Sequence, residues 1–358
     1  MTLDEKKHIL LEGEIAARFK AAADSLGVDL ETLGLMAISG FLNSPLIASL
    51  PSQAKLSEAL GISPQNDNQI TSDVDSPTNK IGLRKKALES GKIDFQSIIP
   101  TGELAPENEY ILWGQFNRFL PIKFTLRVLA RLILESGNGE KESWTSLDEW
   151  FAEVWGTAPT VRKDLGEIDF AQNTPRGEQL TSGFPTNTDK SINRFVNHFC
   201  ADVYRDGKIV GFPSHLGLIK GSTDRNNVSL TDAGLEYVML DNPILDGPLP
   251  YDSTMSMEEV RFMVNQIQSH LPSTWEFMIF LLNSVNSGLC TPDQLSEAIE
   301  TNYGHGSQKN WNFAQISTYR TGAIGLLGDM SLIERKRDGR RVSYYLTENG
   351  EEELKNHR

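Results

Sequence analysis

Cysteine is scarce: 358 residues contain two, Cys200 and Cys290. That excludes a disulfide scaffold and any cysteine-rich zinc site. Both thiols are read as free in a reducing compartment, with Cys200, in VNHFCADV, a small buried apolar residue. No run approaches the roughly 18 unbroken apolar residues of a membrane-spanning helix. The first residues, MTLDEKKHILLEGEIAARF, do not read as a secretory signal, because Asp4 and Glu5 precede the basic pair and Glu12 and Glu14 interrupt the apolar run. The expectation is a soluble cytoplasmic protein. Positive charge is also in short supply. Basic residues number 34 against 48 acidic ones, a net charge of −14, which argues against non-specific coating of nucleic acid.

Apolar residues make up 39% of the 39.9 kDa chain, enough to build cores. At roughly 100–200 residues per domain the length predicts two or three domains. Residues 1–62 read as a helical N-terminal region, with helical spacing in EGEIAARFKAAADSL, from Asp29 to Phe41 and from Gln53 to Leu60. Residues 63–120 read as a linker and connecting segment. Ser63 to Lys80 is nearly free of apolar residues. A basic stretch follows, Lys80, Arg84, Lys85 and Lys86, best read as a solvated helix face. Residues 121–245 open with an amphipathic helix, PIKFTLRVLARLILESG. Ser146 is then expected to cap LDEWFAEVW, and residues 156–189, rich in Thr, Gly, Pro and acids, read as an inserted acidic loop. A helix over KSINRFVNHFCADVYRDG comes next. Trp144, Trp150, Trp155 and Phe151 gather around one of these helices and are read as core, with a partner surface as the alternative.

Two stretches are internally alike. LGLIK…VSLTDAGLEYV and MSLIER…VSYYLTENGEEEL each read as strand, turn, strand, then Leu-Thr-acid-x-Gly opening a helix. In the first, Leu216 to Lys220 is the outgoing strand and Thr231 the helix cap. In the second, Ser331 to Arg335 is the strand, Lys336 to Arg341 a tip holding the turn dipeptide Asp338-Gly339, and Thr347 the cap. Helices precede each copy.

Leu332-Ile333-Glu334-Arg335, the basic tip and Tyr345-Leu346-Thr347-Glu348-Asn349-Gly350 resemble the winged helix-turn-helix of MarR- and ArsR-type regulators. The resemblance implies a mainly α fold with small β-hairpins (α+β): two tandem winged units, 121–245 and 255–358, after the helical N-terminal region. It implies DNA binding through a recognition helix over Asn310–Leu327 and a wing. Winged helices also serve as protein-binding modules.

The residues themselves support that chemistry in the second copy. Between Ser307 and Tyr344 stand seven bases (Lys309, Arg320, Arg335, Lys336, Arg337, Arg340, Arg341) and three acids (Asp329, Glu334, Asp338). The window is therefore +4 and the remainder −18. Basic tips straddle phosphates or enter a minor groove. Asn312, Gln315, Thr318, Tyr319 and Arg320 are expected to address base edges or nearby phosphates, with Gln315, Thr318 and Tyr319 on one face. The first copy offers weaker candidates: Lys190, Asn193, Arg194 and Asn197 on its helix, and Lys220 and Arg225 in its hairpin.

No motif for catalysis emerges. A P-loop sequence is lacking, and the six histidines form no H-x-x-x-H pair. Gly322, Gly325 and Gly328 follow no strand and are read as close helix packing rather than a dinucleotide turn. Asp293 with Glu334 and Lys336 imitates a metal-dependent nuclease set, but helix capping and a charged hairpin explain them better. The expectation is a non-enzymatic, cofactor-free and metal-free DNA-binding protein, most simply a transcriptional regulator on double-stranded DNA. It would not engage membranes, and the N-terminal helices or the acidic loop would serve a homodimer or protein partner. The alternative is a non-enzymatic interaction subunit of a DNA-processing, defence or chromosome-maintenance complex.

Overall fold

The computed structural model describes residues 95–136, 143–175, 177–204, 208–247, 251 and 253–357. Contacts divide the chain between Val74 and Asp75, and every described residue belongs to the second unit. The helices expected in 1–62, the linker at 63–80 and the basic residues Lys80 to Lys86 lie outside the described residues.

Among the described residues the fold is α+β, with ten α-helices and antiparallel sheets of two or three strands. Helix α1 (Leu120–Glu135) starts with Pro121 in its first turn, where a missing N–H costs nothing. Every residue from Leu120 to Ala130 is buried. The helix read as amphipathic is therefore enclosed on all sides over its first three turns. Strand β1 (Thr145–Ser146) leads into α2 (Leu147–Ala171). Then come α3 (Asp189–Phe199), β2 (Asp202–Val203), β3 (Ile209–Val210), α4 (Phe212–His215), β4 (Ile219–Gly221), β5 (Asn227–Leu230) and α5 (Asp232–Met239). The strands β1, β5 and β4 form one antiparallel sheet in that order.

Two sequence expectations fail in this half. The acidic loop at 156–189 is helical over its first part, because α2 continues to Ala171 with Pro159 inside it. Trp150, Val154, Ala158, Val161, Leu165 and Ile168 form one buried stripe at helical spacing, and that burial outweighs the local breakers Gly156, Pro159 and Gly166. The helix expected to run from Lys190 through Gly207 stops at Phe199. Cys200 leaves helical geometry (ψ −91°), and Asp202–Val203 pairs back with Ile209–Val210.

The second half is α6 (Met257–His270), α7 (Pro272–Asn286), α8 (Pro292–Tyr303), α9 (Phe313–Asp329), β6 (Ile333–Asp338), β7 (Arg341–Leu346) and α10 (Glu348–Asn356). Capping boxes start three of these helices: Ser256 with Glu259, Thr291 with Gln294, and Asn312 with Gln315. Strand β7 also takes a bond from outside its hairpin, Tyr344 N–H to the Cys290 carbonyl at 2.8 Å.

Residues 95–119, expected as part of a linker, are core instead. Ile98, Ile111, Leu112, Phe116 and Phe119 are buried. The segment bonds both halves: Thr101 N–H donates to Leu230 O at 3.0 Å, and Glu107 N–H to His270 O at 2.8 Å. Its Pro and Glu content reads as linker locally, but its spaced aromatics fill the seam between the halves.

A buried charge network crosses the same seam. The Lys123 ammonium on α1 lies 3.1 Å from Glu259 on α6 and donates to the carbonyls of Tyr237 and Leu240. Burial pulls its pKa down to about 8 against the Glu259 carboxylate, which raises it. Glu259 in turn accepts from Asn242 Nδ2 at 2.9 Å and Ser256 N at 3.0 Å. Beside it Arg127 grips Asp246 bidentately at 2.5 and 2.7 Å.

Candidate nucleic-acid interface

The C-terminal hairpin is built from six facing pairs, Ile333↔Leu346 through Asp338↔Arg341. This leaves Gly339-Arg340 as a two-residue turn, with Gly339 at φ +56°, where glycine carries no steric cost. The tip is thus shorter than the expected Lys336–Arg341, and Lys336 and Arg337 belong to β6. Strand alternation sorts the cations. Lys336 lies on one face with Glu334, and Arg335 and Arg337 on the other.

Of the five hairpin cations only Lys336 is ion-paired among the described residues, 3.2 Å from Glu334, and its ammonium also sits over the Tyr345 ring. Arg337, Arg340 and Arg341 are exposed. Arg335 differs from the tip cations. It is partly buried, its guanidinium rests against Gly177, and its Nε is enclosed without a hydrogen-bond partner. The expectation that it serves the tip is corrected: it faces the body of the protein.

Helix α9 is less open than expected. The Gln315 side chain accepts from Asn312 N–H at 2.9 Å and so completes the helix cap. Tyr319 stacks on Trp311, with ring centroids 4.2 Å apart. Arg320 donates to the Pro292 carbonyl at 2.6 Å and to the Ser296 hydroxyl, tying α9 to α8. Thr318 donates to Ala314 O at 2.8 Å, and its carbonyl faces Gly114 so closely that a Cβ there would stand 2.4 Å away. Gly322 and Gly325 continue that contact under Gly114 and Asn117, whereas Gly328 is open. Gly322 and Gly325 do serve close packing, against the irregular segment Trp113–Arg118, and Gly328 does not. Gln315, Thr318, Tyr319 and Arg320 therefore do not form one free base-reading face. Exposed in this region are Gln308, Lys309, Asn310, Asn312, Phe313 at 75% exposure, Ala314 and Gln315, with Thr321 further along α9.

The first-half candidates are scattered. Lys190 and Asn193 are exposed on α3, and Asn197 is half-buried. Arg194 donates to Gln115 Oε1 at 3.0 Å. Lys220 reaches back to the Thr101 carbonyl at 3.4 Å. Arg225 is exposed at its own hairpin tip beside Asp224, which accepts from Ser222, Asn226 and Asn227. His198 on α3 packs edge-on against Trp113 and Phe116, so the 113–118 segment lies against both α3 and α9.

Trp150 is core, fully buried with its indole N–H donating to Thr125 O at 2.9 Å. Trp155 is 36% exposed and Phe170 79% exposed on α2. Cys200 is buried, and burial pushes its thiol well above the ordinary range.

Sequence reasoning missed a cleft of about 800 Å³ between residues 172–175 and 177–182, residues 251, 253 and 254, α9 and the base of β6. Its floor is a bridge from the partly exposed Arg118 to the buried Asp329 at 2.6 Å, and Asp329 also accepts from Phe119 N–H at 2.9 Å. Burial raises the Asp329 pKa, and the Arg118 guanidinium opposes that rise. No motif announces Arg118, because its partners lie 59 and 211 residues away.

Among the described residues no cluster of His, Cys, Asp and Glu is arranged to hold a metal, and no helix is long and apolar enough to cross a membrane. In comparisons with known proteins, no family model, curated protein or solved structure matches the chain.

Proposed function

We propose that the protein is a DNA-binding transcriptional regulator without catalytic activity, docking on the duplex through a C-terminal winged helix. The observation that carries this reading is a trio of exposed cations, Arg337, Arg340 and Arg341, at the end of a projecting hairpin in a chain of net charge −14. Such a hairpin offers guanidinium groups to phosphates or a narrow minor groove. The anionic remainder repels DNA and favours one orientation. Lys309 and the exposed first turn of α9 lie open to a groove, with the Asn312 side chain, like that of Gln315, engaged in the helix cap. Base reading is then confined to that first turn, and the hairpin supplies most of the affinity.

The test is duplex binding by fluorescence anisotropy across a salt series. Binding should weaken steeply with salt, and Arg340→Ala with Arg341→Ala should flatten the log–log slope by about two units. A wild-type protein that binds no duplex at low salt ends this reading.

The alternative, an interaction subunit of a DNA-processing, defence or chromosome-maintenance complex, is favoured by a separate observation. Phe170 and Trp155 stand exposed on α2, and exposed aromatics anchor protein interfaces. It predicts that Phe170→Ser abolishes co-purification of a partner while leaving any DNA binding intact.

A further inference from the structure

We propose that the cleft between residues 172–175 and 177–182 and the base of β6 is a binding site for a small oxyanion-bearing molecule, such as a sugar phosphate or sugar acid, gripped by Arg335. The volume, about 800 Å³, lies within the range of small-molecule sites, roughly 300–1,000 Å³.

Among the described residues lining the cleft, one cation, Arg335, has no ion pair. Arg118 and Asp329 neutralise each other in the floor, and Glu334 is paired with Lys336. Glu178 lines the cleft but is exposed at the rim. Arg335 has no ion pair and no hydrogen bond among the described residues, and its Nε is enclosed without a partner. The terminal nitrogens of its guanidinium line the cleft, and a bound oxyanion can take two parallel N–H bonds from them.

Gly177 makes room for the fork. A Cβ at this position would stand 1.6 Å from Arg335 Nη1 and 2.7 Å from its Cζ. Hydroxyls and amides, among them Asn117, Gln172, Thr174, Thr254 and Thr321, share the lining with Ile324, Ile333 and Tyr344. These polar groups can meet the hydroxyls of a sugar body, and the apolar ones its carbon face.

The site is independent of DNA docking and is tested without DNA, by calorimetric titration of the full chain. The probes are inorganic phosphate, ribose 5-phosphate, gluconate and neutral ribose. Ribose 5-phosphate or gluconate should bind more tightly than inorganic phosphate, and ribose should not bind; whichever of the two binds identifies the oxyanion. Arg335→Gln should weaken the anion about tenfold or more, the loss of a charge-assisted pair. Gly177→Ala should do the same with an unchanged melting temperature, because the new methyl meets only the movable end of Arg335. Arg340→Ala with Arg341→Ala should leave anion binding unchanged. The proposal is overturned if no anion binds, if ribose binds equally well, if both cleft variants bind like wild type, or if the tip variant abolishes binding.

Discussion

The two hairpins of this chain share an anchor and differ at the tip. In the first, Thr231 N–H bonds Leu218 O at 3.1 Å, its hydroxyl donates to Gly217 O at 2.6 Å, and it accepts from Gly234 N–H at 3.0 Å. In the second, Thr347 N–H bonds Leu332 O at 3.2 Å, its hydroxyl donates to Ser331 O at 2.5 Å, and it accepts from Gly350 N–H at 3.1 Å. The carbonyl owner before each outgoing strand sits at positive φ, Gly217 at +67° and Ser331 at +55°. The Leu-Thr-x-x-Gly motif is thus a mechanical joint. Threonine ties the end of the hairpin to its start, and glycine lets the following helix touch the outgoing strand. The tips obey no such constraint. One carries Arg225 hemmed by Asp224, and the other three exposed arginines. Shared geometry reports folding, and the divergent tips are where functions can part.

The largest effect should come from breaking what holds the two halves together. Lys123→Met leaves Glu259 buried beside an apolar chain, and should cost about 3–5 kcal/mol in denaturant unfolding. Adding Glu259→Gln should restore much of that loss, because no charge then stays uncompensated. If Lys123→Met alone is neutral, the pair does not hold the seam.

The joint itself comes next. A Cβ on Gly234 would lie 1.9 Å from Leu218 O, and one on Gly350 2.0 Å from Leu332 O. Backbone cannot yield as a side chain does, so Gly234→Ala and Gly350→Ala should each destabilise by about 1–3 kcal/mol. Similar losses at both sites would establish equivalent joints. A large loss at one site alone would break the comparison.

That joint was legible in the sequence because all its partners lie within one hairpin. The α+β class followed from the same local pattern. What escaped detection depends on distant contacts. Nothing near Pro159 reveals that a buried stripe carries α2 past it, and nothing in TGAIGLLGD names Trp113–Arg118 as the partner of its glycines. Arg320 and Gln315 have the chemistry of base readers, but their side chains hold the cap and the neighbouring helix. Residue type indicates what a side chain can bond, and tertiary placement decides which bond it makes.

Acid should weaken the first joint more than the second. His215, 2.8 Å from Glu107, and His270, whose ring lies against Gly217, both have pKa values lowered below the ordinary histidine range, with burial the largest cause. Each stays neutral in the fold where the unfolded chain would take up a proton. Stability is therefore intact above about pH 6.5 and falls as pH drops through that value. Denaturant midpoints from neutral to mildly acid pH should show the loss, and His215→Gln should reduce the slope. An unchanged midpoint across that range would contradict the burial of these rings.

The smallest effect should be at the first tip, where it is most informative. Arg225 is exposed, but Asp224 beside it is held ionised by its Ser222 hydrogen bond, the largest of the influences that lower its pKa. At the first tip this carboxylate leaves no net charge, whereas the second tip sets Arg337, Arg340 and Arg341 against Asp338 alone. On the proposed DNA reading, Arg225→Ala should change the salt slope by well under one unit, whereas Arg340→Ala alone should change it by about one. Asp224→Asn supplies the converse, since removing the carboxylate should let the first tip gain affinity for duplex at low salt. Equal slopes for Arg225→Ala and Arg340→Ala would mean that both hairpins reach DNA, and the division between a silent tip and a docking tip would be lost.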